Sequence, residues 1–289
     1  MRIVTLTLNP CVDETVSVSE FGEGALAREY QTGGKGMNVA RVLARFGIDT
    51  LAVAPIGRET GEHFAALARE EGIPLCAVPI SGETRTITTY RRLSDDAQKV
   101  SFGSPPEMTD GEIGSLMEAL KDALPGADAL CVCGSACCKK VEDAAEHMIA
   151  LAKSMGIKTL LDTKGYALSA LPDMFRCNTD ELFSITGKRD IECAANVLLE
   201  RGVGCVLVTM GDKGAAFFSG EVQTYCPAPK VQAVNPVGSG DSFTAGFLYA
   251  ESVGANLFAA MRYACACGAA NAKVFPASRI APEDVMALL

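Results

Sequence analysis

The sequence predicts an α/β protein: three layers, with helices on both faces of a mostly parallel β-sheet, and a small second sheet over its edge. Three observations carry this. Short apolar strands alternate with helix-spaced segments along most of the chain, the rhythm of parallel strands joined by crossover helices. Two segments, about 12–32 and 85–102, break that rhythm and alternate like hairpins. No internal repeat, low-complexity tract or linker interrupts the 289 residues. One domain over 1–289 is therefore expected, with the two hairpin segments inserted as a flap.

The elements follow in order. Residues 3–8, IVTLTL, are a β-rich run. After Gly36, Val39, Val42, Leu43 and Phe46 recur at helical spacing until Gly47 stops them. Thr50–Ile56 reads as a strand, the segment through Phe64 and Leu67 as a helix ending at Gly72, and Leu75–Ile80 as a strand. Thr86, Thr88 and Tyr90 face Val100 and Phe102 across the polar turn Ser94-Asp95-Asp96, a hairpin pattern. Helices at 109–124 and 140–155 then alternate with strands at 128–133 and 158–162. Residues 179–187 and 190–201 read as helices, Cys205–Thr209 and Ala215–Phe218 as strands, and 241–253 and 256–273 as two long helices.

Composition narrows the function. The net charge of −9 offers no basic stripe for a phosphate backbone, which disfavours nonspecific nucleic-acid binding; no nucleic-acid partner is expected. No apolar run reaches the length of a membrane span, and the first residues lack a secretory core. Twelve cysteines without C-x-x-C spacing, beside only two histidines, read as reduced thiols of a cytoplasmic protein. His63 and His147 fall on solvent-facing positions of helices.

The stretch NPVGSGDSFTAG, 235–246, carries the chemistry. A Gly-rich turn into a helix start presents main-chain N–H groups, where the helix dipole also favours an anion. Gly238, Ser239 and Gly240 are placed to form such a hole, with Asp241 beside it. A carboxylate there can accept the proton of an alcohol attacking a terminal phosphate. Taken alone, the stretch reads equally as a helix capped by Asp241. The G-x-x-x-x-G-K-[ST] phosphate loop is absent, which argues against a P-loop kinase.

Other pieces admit two readings each. Gly33, Gly34 and Gly36 around Lys35, with Asn38 following, suit a sugar or a phosphorylated sugar, or form a plain turn. Asp13 after Asn9-Pro10 can accept from two sugar hydroxyls, or shape a turn. Arg85 can fork onto a phosphate, or pair with Glu83 at the rim. Ser135, at a strand's carboxyl end, can meet a phosphate oxygen or belong to an ordinary turn. Asn178 and Glu181, three apart, can order Mg²⁺ through waters, or make a capping box. Thr209, Gly211 and Gly214 form a tight turn that can also admit nucleotide phosphates or adenine.

In this order the pieces resemble the PfkB, ribokinase-like, carbohydrate kinases. The matching stretches are TLTLNPCVD, GGKGMNVARVL, GETRT, NTDE, VTMGDKGA and NPVGSGDSFTAG, and they span nearly the whole chain. LNPCVD together with GETRT looks like the phosphosugar branch, that of the 1-phosphofructokinases and tagatose-6-phosphate kinases. The resemblance implies a ribokinase-like three-layer α/β/α core with a β-sheet lid, and possible pairing into a homodimer through that lid. It implies ATP and Mg²⁺ as cofactors and a small-molecule sugar phosphate as partner. The expected reaction is fructose 1-phosphate to fructose 1,6-bisphosphate, with tagatose 6-phosphate as the alternative acceptor.

By the same resemblance Asp241 is the catalytic base, and Gly238, Ser239 and Gly240 are the anion hole. Asp13, Gly34, Lys35 and Asn38 hold the sugar, while Arg85 and Ser135 hold its existing phosphate. Asn178 and Glu181 order Mg²⁺, and Thr209, Gly211 and Gly214 lie on the nucleotide side.

Two departures touch the substrate side. Ala136-Cys-Cys-Lys-Lys140 stands where the family often has Leu-Pro-Pro-Gly, and Arg176-Cys177 where it often has Lys-Pro. Lys139 or Lys140 is a candidate for a replacement contact. Three rivals compete: a nucleoside or neutral-sugar kinase of the same fold, a noncatalytic sugar-phosphate sensor, and a dinucleotide-binding oxidoreductase. The last would place G-x-G-x-x-G after the first strand, where NPCVD stands instead.

Overall fold

The computed structural model describes residues 1–163 and 171–289. In chain order the strands are β1 (Arg2–Thr7), β2 (Cys11–Val18), β3 (Ala27–Gly33), β4 (Asp49–Ile56), β5 (Leu75–Pro79), β6 (Arg85–Arg92), β7 (Gln98–Phe102), β8 (Ala129–Cys133), β9 (Lys158–Asp162), β10 (Met174–Asn178), β11 (Cys205–Thr209), β12 (Ala215–Ser219) and β13 (Gln223–Cys226). The helices are α1 (Lys35–Arg45), α2 (Arg58–Glu70), α3 (Asp110–Ala123), α4 (Lys139–Ser154), α5 (Thr179–Thr186), α6 (Ile191–Glu200), α7 (Ser239–Ser252), α8 (Leu257–Ala272) and α9 (Pro282–Met286).

Among the described residues, nine strands form the main sheet in the order β13-β12-β11-β10-β9-β8-β1-β4-β5. It is parallel from β11 to β5, with β12 and β13 added antiparallel at one edge. Its central strands are apolar and buried on both faces, as strands covered by helices must be. One face packs Val4, Leu130, Val132 and Phe175 against residues of α3, α4, α5 and α6. The other packs Ile3, Cys131 and Leu160 against α1, α7 and α8, and Ala52 and Ala54 against α1 and α2.

The two segments that broke the rhythm pair with each other, giving a separate four-stranded sheet, β3-β2-β6-β7. Its two hairpins are antiparallel, but their junction, β2 with β6, is parallel. No helix of the described residues is long and apolar enough to cross a membrane.

Two strands and a short helix had no counterpart in the sequence reading. β10 reads MFRCN, whose Arg interrupts the apolar run, yet that Arg is buried. β13 is only four residues at the sheet edge, and α9 only five near the C-terminus.

Candidate active site

From β1 the chain runs outward to β4 and β5, then returns to the other side of β1 and proceeds from β8 to β11. That reversal opens a crevice above the carboxyl ends of β1 and β8, where α/β sheets bind ligands. A cleft of about 760 Å³ lies there, walled by the core, by the flap sheet and by residues 275–277. Asp13, Gly34, Lys35, Asn38, Arg85, Ser135, Asn178, Glu181, Gly238, Gly240 and Asp241 all line it. The fold thus gathers residues up to 228 positions apart, from Asp13 to Asp241.

Asp241 sits in the first turn of α7, buried in the cleft wall. Gly238, at φ +81°, supplies the left-handed turn that starts this helix. Asn271 of α8 ties the turn down. Its Nδ2 donates to Val237 O at 2.8 Å and to Ser239 Oγ at 3.0 Å, and its Oδ1 accepts from Ser278 N at 2.6 Å. Gly246 allows α8 to cross closely, since a Cβ there would stand 2.5 Å from Cys267 Sγ. The N–H of Ser239 donates to Pro236 O at 3.1 Å, and Ser239 is not part of the cleft lining. Gly238 and Gly240 are, so the glycines rather than the serine face the cleft.

The centre of the site is a cluster of three carboxylates, Asp162, Glu181 and Asp241, with two cations. Lys35 Nζ donates to Asp162 Oδ1 at 2.7 Å and lies 3.6 Å from Glu181 Oε1. Arg176 Nη1 pairs with Asp162 Oδ2 at 3.2 Å, and Arg176 Nη2 donates to Thr209 Oγ1 at 2.8 Å. The Arg176 guanidinium lies against the glycine turn, where a Cβ on Gly240 would overlap it. Asn38 Nδ2 donates to Asp241 Oδ2 at 2.7 Å.

These neighbours push the two aspartates apart. Burial raises the Asp241 carboxyl, the nearby Asp162 charge adds to this, and Lys35, Asn38 and Arg176 oppose it; the balance pushes it up to about 6. Burial acts on Asp162 as well, but Arg176 and Lys35 outweigh it and hold that carboxyl below its usual value. Burial works against the Lys35 ammonium, yet Asp162 and Asp241 hold it above its usual value. One carboxyl is thus poised to exchange a proton near neutrality, while its neighbour stays ionised and anchors two cations.

On the flap side, Asp13 is half-buried over Gly33 and accepts from Cys11 Sγ at 3.3 Å; burial raises its carboxyl. Arg85 does not pair with Glu83, whose Oε1 instead accepts from Thr60 N at 2.8 Å. Arg85 Nη2 donates to Asn9 O at 3.2 Å, and its buried Nε has no hydrogen-bond partner among the described residues. Its guanidinium therefore keeps donor capacity at the cleft wall.

Asn178 and Glu181 do make the capping box of α5: Glu181 N donates to Asn178 Oδ1 at 2.8 Å, and Asn178 N to Glu181 Oε2 at 2.9 Å. Both also line the cleft, so the box holds them there rather than removing them from it. Among the described residues no group of three or more His, Cys, Asp or Glu forms a metal cage. Oxygen donors from one carboxylate and one amide fit a cation that keeps much of its own water, as Mg²⁺ does.

Thr209, Gly211 and Gly214 lie outside the cleft lining. Thr209 stands opposite Asn178 in the β10–β11 register, and Gly211 begins the turn into β12. Lys139 and Lys140 are exposed and pair with Asp143 and Asp110, so neither reaches the cleft.

Sequence reading missed Asp162 and left Arg176 as a mere departure. The available signal for Asp162 was a carboxylate closing an apolar strand, KTLLD, at the sheet's carboxyl edge. For Arg176 it was a charged residue inside a strand flanked by Phe175 and Cys177.

Comparison with known proteins gives the family of the chain. A family profile described as pfkB family carbohydrate kinase matches residues 6–283. The chain is 32% identical over 283 residues to a 1-phosphofructokinase of Bacillus subtilis, covering 93% of this chain and 92% of that one. It is also 32% identical over 283 residues to a 1-phosphofructokinase of Rhodobacter capsulatus, covering 92% and 89%. Phosphofructokinase-2 from Escherichia coli, solved with substrates and products, superposes with a TM-score of 0.89 at 25% identity, covering 100% of this chain and 98% of that one. A ribokinase from Thermotoga maritima shares the fold, with a TM-score of 0.78 at 21% identity over 99% and 98% of the chains. The match runs from β1 to α9, and the chain accordingly belongs to the pfkB family of carbohydrate kinases, phosphotransferases with an alcohol group as acceptor.

Proposed function

We propose that the protein transfers the terminal phosphoryl group of ATP to fructose 1-phosphate, giving fructose 1,6-bisphosphate. The observation that carries this reading is Arg85. A guanidinium with unused donor capacity lines, from the flap, the same cleft as the buried Asp241. A neutral sugar would leave that charge without a partner, whereas a sugar phosphate supplies one. Several curated relatives that match over most of their length are 1-phosphofructokinases.

In this reading Asp13 accepts from sugar hydroxyls, and Arg85 with Ser135 holds the existing phosphate. Asp241 takes the proton of the attacking hydroxyl as the phosphoryl group passes in line. Asn38 holds the Asp241 carboxylate through its amide N–H. Lys35, kept charged by Asp162 and Asp241, and the main chain at Gly238 and Gly240 stabilise negative charge on the group in flight. Arg176, anchored by Asp162, brings a second cation to the glycine turn. Glu181 and Asn178 would hold Mg²⁺ through its waters, and the ion when bound neutralises phosphate charge. Thr209, Gly211 and Gly214 serve the nucleotide side. The flap shuts out water, and its exposed face serves a homodimer.

A coupled ADP-release assay tests the reading with fructose 1-phosphate, fructose 6-phosphate, tagatose 6-phosphate and ribose as acceptors. The highest kcat/KM is expected for fructose 1-phosphate. A preference for ribose would remove Arg85 from the phosphate site and overturn the assignment.

A further inference from the structure

Beside the cleft, and outside its lining, α1 buries a complete arginine. Arg41 is 1% exposed, among the largest fully buried side chains of the protein. Its charge is met by Glu71, at the end of α2: Arg41 Nε and Nη2 both lie 3.0 Å from Glu71 Oε2. The remaining N–H groups have specific targets. Nη1 donates to Asn38 Oδ1 at 2.7 Å and to Ala277 O at 3.2 Å. Nη2 donates to Thr32 O, and to Thr32 Oγ1 at 2.8 Å.

The bond to Asn38 has a chemical consequence. An asparagine amide presents a carbonyl on one side and an NH₂ on the other, and the two ends are nearly the same size. A carboxylate beside it needs the NH₂ end; the carbonyl end would repel it. A guanidinium has only donors. Arg41 therefore accepts no orientation of Asn38 except the one with Oδ1 toward itself, which leaves Nδ2 toward Asp241 Oδ2 at 2.7 Å.

We propose that Arg41 is a positioning residue: by claiming Asn38 Oδ1 it fixes the face of the amide that holds the catalytic carboxylate of Asp241. The inference rests on the reading of Asp241 as the base of a phosphosugar kinase. It extends that reading to a residue that touches neither substrate nor Asp241. The charged groups facing Asp241 from the packed elements are Lys35 on α1, Asp162 on β9 and Arg176 on β10. Arg41 approaches none of them within hydrogen-bonding distance, so its influence runs through Asn38.

The test is a double-mutant cycle combined with an activity-free measurement. Arg41→Met/Glu71→Gln removes the buried charge pair together, avoiding a lone buried carboxylate. It should lower kcat about 10–100-fold through misplacement of the base, with the KM of the acceptor changed less than about 3-fold. In an Asn38→Ala background the same pair of replacements should lower kcat by no more than about 2-fold. Equal losses in both backgrounds would show that Arg41 only supports the fold, and would overturn the proposal.

The activity-free readout is hydrogen exchange of the Asn38 side-chain amide in the ligand-free protein. It should speed up about 10-fold or more in the double variant, once the amide is free to turn. Unchanged exchange overturns the proposal. Arg41→Lys keeps the charge opposite Glu71 but not the planar fork, and it provides the same measurement if the double variant fails to fold. If the wild-type protein phosphorylates none of the acceptors, the functional reading falls, and amide exchange alone still decides the role of Arg41.

Discussion

In the main sheet, β1 is buried from Ile3 to Thr7, while in the flap sheet β7 leaves Lys99 to Phe102 exposed. The same contrast separates the polar groups of the cleft. On the core side, Asp162 and Asp241 are buried, and Asp162 is pinned by Lys35, Arg176 and Thr244. On the flap side, Asp13 and Arg85 are half-buried and more sparsely held, Arg85 by one contact to Asn9. In the proposed reading, the groups that must be aimed at a reacting atom stand on elements held from every direction, and those that would grip the rest of the substrate stand on the flap sheet, whose outer strand β7 is exposed. Replacements on the core side should therefore act on kcat and stability, and those on the flap side on KM.

The largest effect is expected from Asp241→Asn. kcat should fall about 10²–10⁴-fold while ATP binding persists, as read by ADP release and by nucleotide titration. Turnover near the wild-type rate would break the contrast at its strongest point.

Asp162→Asn comes next. It leaves Lys35 and Arg176 without their shared carboxylate, and breaking such a buried pair should destabilise the fold by about 3–5 kcal/mol in denaturant titration. Arg85→Ala should raise the KM for the phosphosugar about 10–100-fold and leave kcat within a few fold, corresponding to the loss of a charged hydrogen-bonding group. A fall in kcat without a change in KM would move Arg85 to the core side of the comparison.

The pH dependence sharpens it further. As the proposed base, Asp241 must be ionised to accept a proton, so kcat/KM should fall about tenfold for each unit of acidification below about 6. The two aspartates have opposite stability signatures. Because the folded-state value of Asp241 is raised, its contribution is present in acid and is lost as the pH rises through about 6. Asp162, held low by its cations, contributes above its unfolded-state value and loses that contribution as the pH falls. The smallest effect follows: Asp241→Asn should be about 1–2 kcal/mol more stable than wild type at pH 7, since an amide has no charge to bury.

Much of this was legible in the letters because it depends on local pattern. Alternation gave the flap hairpins, crossover rhythm gave the parallel sheet, and glycines before a carboxylate gave the turn at Gly238–Asp241. What local pattern does not carry is pairing across the fold. Asp162 meets Lys35 over 127 positions and Asn38 meets Asp241 over 203. Nothing in KTLLD or MFRCN says which cation will meet which carboxylate. Asn178 and Glu181 make the capping box and also line the cleft, because a cap describes main-chain bonding and does not take the two residues out of the wall.

The parallel pairing of β2 with β6 has a mechanical corollary. Cys11, Gly33 and Arg85 are partners in register, and Phe102 pairs two residues beyond Arg85, at Ile87. All four strands thus cross between core and flap along one short row, like knuckles of a door hinge. A turn of the flap about that row would bend four backbones at their crossings and break the contacts of Arg279 with Tyr30 O and of Arg91 with the Phe275 ring, whereas sliding or twisting would shear all four backbones at once. Asp13 and Arg85, two residues or fewer from the row, would swing through small arcs, whereas the tip near Asp95 would sweep widely. Any opening of the cleft by such a turn would be greatest at the outer margin of the plate and least at Asp13 and Arg85, which sit beside its axle.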